Sequence, residues 1–103
     1  MWAQIIKTRV KPGSGAEIAV LMDQFKAAEQ ADSGLIRSTT MRDQKDPDTL
    51  YMMVVFDSEE SARAREQDPR RDPGLAAARE TMTRIFEGPP EFTDLTVVSE
   101  TVF

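Results

Sequence analysis

The strongest constraint on the fold of this chain is an uninterrupted apolar run at residues 50–56, which reads Leu-Tyr-Met-Met-Val-Val-Phe. Asp46, Pro47 and Asp48 precede the run, and Asp57 and Ser58 follow it. A stretch of this length suits a strand better than a helix, and an unbroken apolar sequence is typical of a strand buried on both faces. We therefore expect a β-strand here, with neither side left open to water.

Turn and capping signals divide the rest of the chain into further elements. Pro12-Gly13, Asp32-Ser33-Gly34 and Gly88-Pro89-Pro90 are strong breaks. Ser14 and Glu17 have the spacing of a capping box at a helix start, and Asp57 or Ser58 can cap a second helix. Together these signals predict strands at residues 2–11, 35–42, 50–56 and 92–103, and helices at 14–31, 59–67 and 72–86.

The order of these elements predicts the fold class. The two adjoining helices at 59–67 and 72–86 form one connection, so the order is βαββαβ. Two right-handed split crossovers of this kind give an α+β, ferredoxin-like fold, in which helices cover one face of a four-stranded antiparallel sheet. We expect residues 1–103 to form one domain of this kind.

The apolar run also predicts whether two copies of the chain associate. Its alternate residues Tyr51, Met53 and Val55 would point away from the helices, and Ile5 and Ile6 place apolar side chains on both faces of the first strand. Monomeric soluble proteins rarely expose a large apolar patch. We therefore expect a homodimer in which a second copy covers this sheet face, so that the two sheets form an α/β barrel. The alternative is a monomer with a partly apolar sheet surface.

Composition excludes several classes of function. A net charge of −5 argues against nucleic-acid binding, which depends on clustered Lys and Arg. No apolar run approaches the ~20 residues that span a bilayer. The first residues do not read as a signal peptide, and there is no cysteine, so we expect a cytoplasmic protein without disulfides. There is also no histidine, which removes the commonest general base and axial haem ligand.

The motifs that often carry chemistry have simpler explanations here. Glu59-Glu60 stands at a predicted helix start, where the helix dipole favours acidic residues, so we expect no metal site. No serine has a histidine or a Ser-x-x-Lys pattern to activate it. Gly13-Ser14-Gly15 lacks the lysine of a phosphate-binding loop.

A small apolar pocket is the best candidate site. Phe25 and Phe86 fall on the inward faces of the two main helices, and Met52 and Phe56 fall on the sheet face below them. Ser38, on the neighbouring strand, is a candidate polar group. Core packing without a cavity is the alternative for each of these side chains.

Four arginines cluster at residues 63–71. Arg70 and Arg71, with Arg63, are interpreted as a solvated face that balances nearby acidic residues. Arg65 is the exception, because its register could turn it toward the mouth of the pocket. A guanidinium there would favour an anionic or phenolate ligand.

Several short motifs, taken with this topology, resemble the antibiotic biosynthesis monooxygenase family of dimeric α/β barrels. They are Val10-Lys11-Pro12-Gly13, Gly34, Arg42-Asp43 with Asp46-Pro47, and Phe56-Asp57-Ser58-Glu59-Glu60 with Ala62. The resemblance implies a homodimer with one small pocket per subunit between sheet and helices. Two features depart from the family: active relatives often carry Glu at the position of Val54 and His at the position of Arg65.

The resemblance leaves two functional hypotheses. The first is a cofactor-independent monooxygenase acting on a small phenolic, quinol or polyketide-type aromatic, with Arg65 or Arg37 as the positive group and Ser38 or Tyr51 binding the hydroxyl. The second is a non-catalytic, dimeric small-molecule-binding or stress-response protein. Neither hypothesis requires a cofactor, and the missing histidine argues against haem degradation.

Overall fold

The computed structural model describes all 103 residues and contains four strands and three α-helices. In chain order these are β1 (Trp2–Arg9), α1 (Gly15–Ala28), β2 (Leu35–Arg42), β3 (Thr49–Phe56), α2 (Glu59–Glu66), α3 (Asp72–Ile85) and β4 (Glu91–Thr96). A 3₁₀ turn, Pro69–Arg71, joins α2 to α3. None of the helices has the length and apolar composition needed to cross a membrane.

The sheet has the strand order β2-β3-β1-β4 with every neighbouring pair antiparallel. This is the ferredoxin-like arrangement predicted from the order of elements. The apolar run forms β3, a central strand, which explains why the run has no polar residue. In the central pair Trp2 lies opposite Phe56, and Ile6 lies opposite Met52.

The core lies between one face of the sheet and the helices α1 and α3. Val10, Leu21, Leu50, Ala78 and Ile85 are all 2% exposed or less and form a single cluster. A second buried cluster, Trp2, Phe56 and Ala62, packs α2 against the other end of the same face. The partly filled region between the two clusters is where the candidate site lies.

Close approach of α1 and α3 depends on a glycine. A Cβ at Gly74 would lie 2.7 Å from the Cβ of Ala28 and 2.9 Å from its Cα, a separation that real side chains do not adopt. Gly74 therefore lets the start of α3 contact the end of α1. This contact brings the residues after α1 close to the 3₁₀ turn.

Several element boundaries differ from the sequence prediction. Helix α1 ends at Ala28 rather than near residue 31, and β4 ends at Thr96 rather than at the last residue. Ser14 does not cap α1; its Oγ donates to the carbonyl of Lys11 at 2.6 Å. Ser58, and not Asp57, caps α2, since its Oγ accepts from the amide of Ser61 at 3.1 Å.

A β-bulge changes the alternation of β2. The register against β3 shifts between Leu35 and Arg37, so Ile36 is an extra residue and is 53% exposed. Simple alternation would place Leu35 on the opposite face from Ser38. Because of the bulge, Leu35, Ser38 and Thr40 all lie on the helix side of the sheet.

The face away from the helices carries Tyr51, Met53 and Val55, as predicted. Tyr51 and Met53 are half-buried, whereas Val55 and its neighbour Ala3 are 4% and 5% exposed. The segment after β4 lies at the end of the sheet that holds Ala3 and Val55. It leaves the sheet with a hydrogen bond from the amide of Val97 to the carbonyl of Met1, and Glu100 then forms an ion pair with Arg37 on β2. Residues 97–100 thus run across this end of the sheet.

Candidate functional site

A cavity of about 440 Å³ lies between the helix side of the sheet and the helices α1 and α2. Pockets of ~300–1,000 Å³ are typical of small-molecule sites. Strands β1, β2 and β3 form its floor through Trp2, Gln4, Ile6, Leu35, Ser38, Thr40, Met52, Val54 and Phe56. Its walls come from Met22, Phe25, Lys26, Glu29, Ala62, Arg65, Glu66 and Arg71.

Aromatic and thioether side chains make most of the floor apolar. The rings of Trp2 and Phe56 lie 6.0 Å apart between centroids at an interplanar angle of 55°. Both side chains are buried, and Met52, four residues before Phe56 on the same face of β3, is 8% exposed. Since Trp2 is the single tryptophan of the chain, its fluorescence reports on this cavity.

One end of the cavity is charged. The guanidinium of Arg65 binds the carboxylate of Glu29 through three contacts: Nε to Oε1 at 3.2 Å, Nε to Oε2 at 2.9 Å and Nη2 to Oε2 at 2.6 Å. The two side chains are 18% and 21% exposed. The Arg65 guanidinium also lies 5.4 Å from the ring centroid of Phe56, so the ion pair contacts the apolar floor directly.

This ion pair keeps Glu29 ionised. Burial acts to raise the pKa of Glu29, but hydrogen bonding to Arg65 and Ser33 and the charges of Arg65 and Arg71 together outweigh that effect, so the pKa of this carboxyl lies below its usual value. A carboxylate with a lowered pKa is a weak base. Glu29 is therefore better suited to orienting Arg65 than to removing a proton from a ligand.

Arg71 is a second cation at the same end, and its position corrects the sequence interpretation. It was expected on a solvated face with Arg70 but is 7% exposed and lines the cavity. Its Nη1 donates to the carbonyl of Arg65 at 3.3 Å, while its Nε has no partner. Burial lowers the pKa of Arg71, and the charge of Arg65 lowers it further. Arginine nevertheless stays protonated at neutral pH.

Arg70 does lie on the surface, and the geometry of the 3₁₀ turn explains the contrast. Asp68 caps the turn by accepting from the amide of Arg70 at 2.9 Å, and it also binds the Arg70 side chain. Asp32 holds the same guanidinium from outside at 2.9 Å. With Arg70 held outward, Arg71 points inward toward the end of α1.

Polar side chains also line the floor. Gln4 donates from Nε2 to Asp94 on β4 at 2.9 Å, and Thr40 donates from Oγ1 to the sulfur of Met22 at 3.0 Å. Ser38 lines the cavity from β2 and is exposed. No group of three or more carboxylates has the arrangement of a metal site.

The structure brings together five of the eight side chains predicted for the site: Arg65, Ser38, Met52, Phe56 and Phe25. It places the other three elsewhere. Arg37 and Tyr51 lie on the opposite face of the sheet, where Arg37 pairs with Glu100 and the Nζ of Lys7 lies 5.9 Å from the ring centroid of Tyr51. Phe86 ends α3 beside Val10 and packs on the core cluster.

Sequence reasoning did not predict the other twelve of the 17 residues that line the cavity, among them Trp2, Gln4, Glu29 and Arg71. The alternation of β1 could have identified Gln4, which is a polar residue on the same face as Trp2 and Ile6. Glu29 and Arg71 gave no such signal. Both flank helix ends, where the direction of a side chain depends on how helices pack.

The family model of the antibiotic biosynthesis monooxygenases matches residues 1–72. The chain belongs to that family. The match confirms the resemblance drawn from the short motifs. All residues that line the cavity, from Trp2 to Arg71, fall within the matched region.

Solved structures confirm the fold at low sequence identity. The chain is similar to SnoaB of Streptomyces nogalater, described as a cofactor-independent oxygenase, with 14% identity and a TM-score of 0.72, covering 96% of this chain and 94% of that one. It is also similar to a MhuD variant that holds two manganese protoporphyrin IX molecules per active site (17% identity, TM-score 0.77, 100% of both chains). Rv0793 of Mycobacterium tuberculosis matches with 16% identity, a TM-score of 0.70 and 98% of each chain. No curated protein matches this chain.

Proposed function

We propose that this protein is a cofactor-independent oxygenase that oxidises a small phenolic or quinol aromatic in the 440 Å³ cavity. The observation that carries the proposal is the pairing of an apolar floor with a cationic end. The floor of Trp2, Met52 and Phe56 suits a planar aromatic body, and Arg65 and Arg71 suit a negative charge on it. Membership of the monooxygenase family and the similarity to SnoaB support the same reaction class.

In this reaction the substrate supplies the electrons. An ionised phenol or enol reacts with O₂ directly at a ring carbon that carries hydrogen, and this carbon becomes a carbonyl. One oxygen atom enters the product, and the other leaves as water with the two hydrogens that the substrate loses, one from this ring carbon and one from the hydroxyl group. The protein contributes a dry site, orientation of the ring and cations that favour the ionised substrate. Ser38, at the open side of the floor, is placed to bind a hydroxyl of the substrate.

A non-catalytic binding protein is the second candidate, and one observation favours it. Glu29 is the carboxylate closest to the cationic end, and its pairing with Arg65 leaves it a weak base. Val54, where active relatives often carry Glu, adds an apolar side chain to the same cavity. Turnover would then depend on a substrate acidic enough to ionise without a protein base. The chain also lacks the histidine that commonly ligates haem iron, so we do not extend the proposal to haem.

Oxygen uptake with a panel of anthrones, naphthols and quinols separates the two candidates. Quenching of Trp2 fluorescence reports binding in the same samples, independently of turnover. We expect uptake above the buffer control, reduced at least about tenfold in Arg65→Gln, since one charge-assisted hydrogen bond is worth that much. Arg84→Gln is the matched control because Arg84 is 58% exposed and pairs with Glu17 on the helix surface. Quenching without uptake would favour the binding protein.

A homodimer through the open sheet face is part of this proposal. Ile5, Tyr51 and Met53 are only half-buried in the single chain, and no helix covers them. A second copy placed sheet against sheet would bury these side chains and would close the barrel that the family resemblance implies.

A further inference from the structure

The net charge of the residues around the cavity has the opposite sign to the net charge of the whole chain. Lys26, Arg65 and Arg71 carry three positive charges there, and Glu29 and Glu66 carry two negative charges. The cavity is thus net positive in a protein of net charge −5. A positive cleft in an acidic protein attracts anions selectively.

The excess positive charge resides on Arg71. Arg65 is neutralised by its three contacts with Glu29. Lys26 is exposed to water, which solvates its charge. Arg71 is the least compensated of the three, since it is 7% exposed, forms no salt bridge, leaves its Nε without a partner and is attracted to Glu29 and Asp68 only through their charges. A buried charge of this kind is costly unless an anion pairs with it.

Arg71 is also held in place before any ligand arrives. The Asp68 cap fixes the 3₁₀ turn that carries it, and the close contact of Gly74 with Ala28 fixes the start of the helix that follows it. Its Nη1 is bound to the carbonyl of Arg65. A cation fixed in this way loses little entropy when it binds an anion.

From these observations we infer that Arg71 binds the carboxylate of an aromatic acid whose ring lies on the apolar floor between Met52 and Phe56. A carboxylate matches the planar fork of donors of a guanidinium, and of the donors of Arg71 only Nη1 is hydrogen-bonded within the protein. The inference rests on the proposed function only in placing the substrate in the same cavity, and it names the substrate class as aromatic acids. Arg65 remains with Glu29 and borders the ring.

Calorimetric titration with 2-naphthoate and with its neutral methyl ester tests the inference without turnover. We expect the acid to bind at least about tenfold more tightly than the ester, as charge-assisted hydrogen bonds require. Arg71→Gln should abolish this preference. Arg70→Gln is the matched control, since Arg70 is the adjacent residue and lies outside the cavity, and it should keep the preference. Equal affinity for acid and ester, or binding of neither at millimolar concentration, would overturn the inference.

Two further variants, Arg71→Lys and Arg65→Gln, make the result of this titration decisive. If Arg71→Gln does not fold, Arg71→Lys replaces it, and loss of the fork should reduce the preference for the acid severalfold. If the preference survives in an Arg71 variant but disappears in Arg65→Gln, the carboxylate belongs to Arg65 and the inference is wrong. If the protein prefers the acid to the ester but takes up no oxygen, the oxygenase proposal is wrong and this inference stands. If it oxidises neutral naphthols but binds acid and ester equally, this inference is wrong and the oxygenase proposal stands.

Discussion

Arg65 and Glu29 face each other across the end of the cavity, with 2.6 Å between Nη2 and Oε2. One residue belongs to α2, and the other follows the last turn of α1, so the pair joins the two walls of the site. It therefore contributes both to the charge of the cavity and to its shape.

Glu29→Gln should destabilise the protein in a pH-dependent way. The pKa of Glu29 is lowered in the folded protein, so its contribution is present above the unfolded value of about 4.3 and is lost as pH falls through the folded pKa. We expect the variant to lose about 1–3 kcal/mol of unfolding free energy at pH 7, measured by urea denaturation. The loss should shrink as the pH is lowered below about 4.

Glu59→Gln is the control for this experiment. Glu59 pairs with Arg63 at 3.7 Å and is 58% exposed, so its removal should cost less than about 1 kcal/mol. An equal loss at pH 7 and pH 3 for Glu29→Gln would contradict the assignment.

Gly74→Ala should be destabilising although it adds only one methyl group. The new Cβ would lie 2.7 Å from the Cβ of Ala28 and 2.9 Å from its Cα, so backbone must move apart. Overpacking of this kind costs about 1–3 kcal/mol, measurable as a lower urea midpoint. Gly15→Ala, with no atom within 4 Å of the added Cβ, should cause no loss. Similar losses in the two variants would show that helix spacing is not responsible.

Ser58→Ala tests how much the N-cap of α2, the helix that carries Arg65, contributes to stability. Loss of the hydrogen bond from the Ser61 amide should cost about 1 kcal/mol in thermal or urea unfolding. Ser58→Asn retains an N-cap acceptor and should stay close to the original stability. If Asn is as harmful as Ala, the effect does not arise from capping.

Met53→Lys should dissociate the proposed homodimer. Sedimentation at micromolar concentration should give twice the 11.6 kDa mass of the chain for the unmodified protein and a single chain for the variant. The matched control is Val20→Lys, because Val20 is 47% exposed on α1, away from the sheet. A monomeric unmodified protein would remove the dimer proposal.

The element order was predictable because local signals and the global fold agree. The apolar run specified a central strand, and the breaks at Pro12-Gly13 and Gly88-Pro89-Pro90 separated strands from helices. Apolar spacing within α1 then identified Phe25 as an inward residue, and alternation in β3 identified Met52 and Phe56. These predictions depended only on the periods of strands and helices.

The charged end of the cavity could not be predicted in the same way. Arg70 and Arg71 are adjacent and chemically identical, and only the Asp68 cap and the Asp32 contact decide which of them points outward. Arg37 alternates regularly with Ser38, so strict alternation already places it on the opposite face of the sheet; the bulge at Ile36 changes only the side on which Leu35 lies. Tyr51 follows strict alternation and faces away from the helices, which excludes the role given to it in the pocket.

The segment beyond β4 has a consequence for assembly. Residues 97–100 run across one end of the sheet face that the second subunit would cover, between the hydrogen bond of Val97 to Met1 and the ion pair of Glu100 with Arg37. Dimer formation must therefore either enclose residues 97–100 of both subunits between the sheets or displace them and break the Arg37–Glu100 ion pair. The dimerisation equilibrium would then be coupled to the displacement of this segment, and substitutions that weaken the ion pair would shift both.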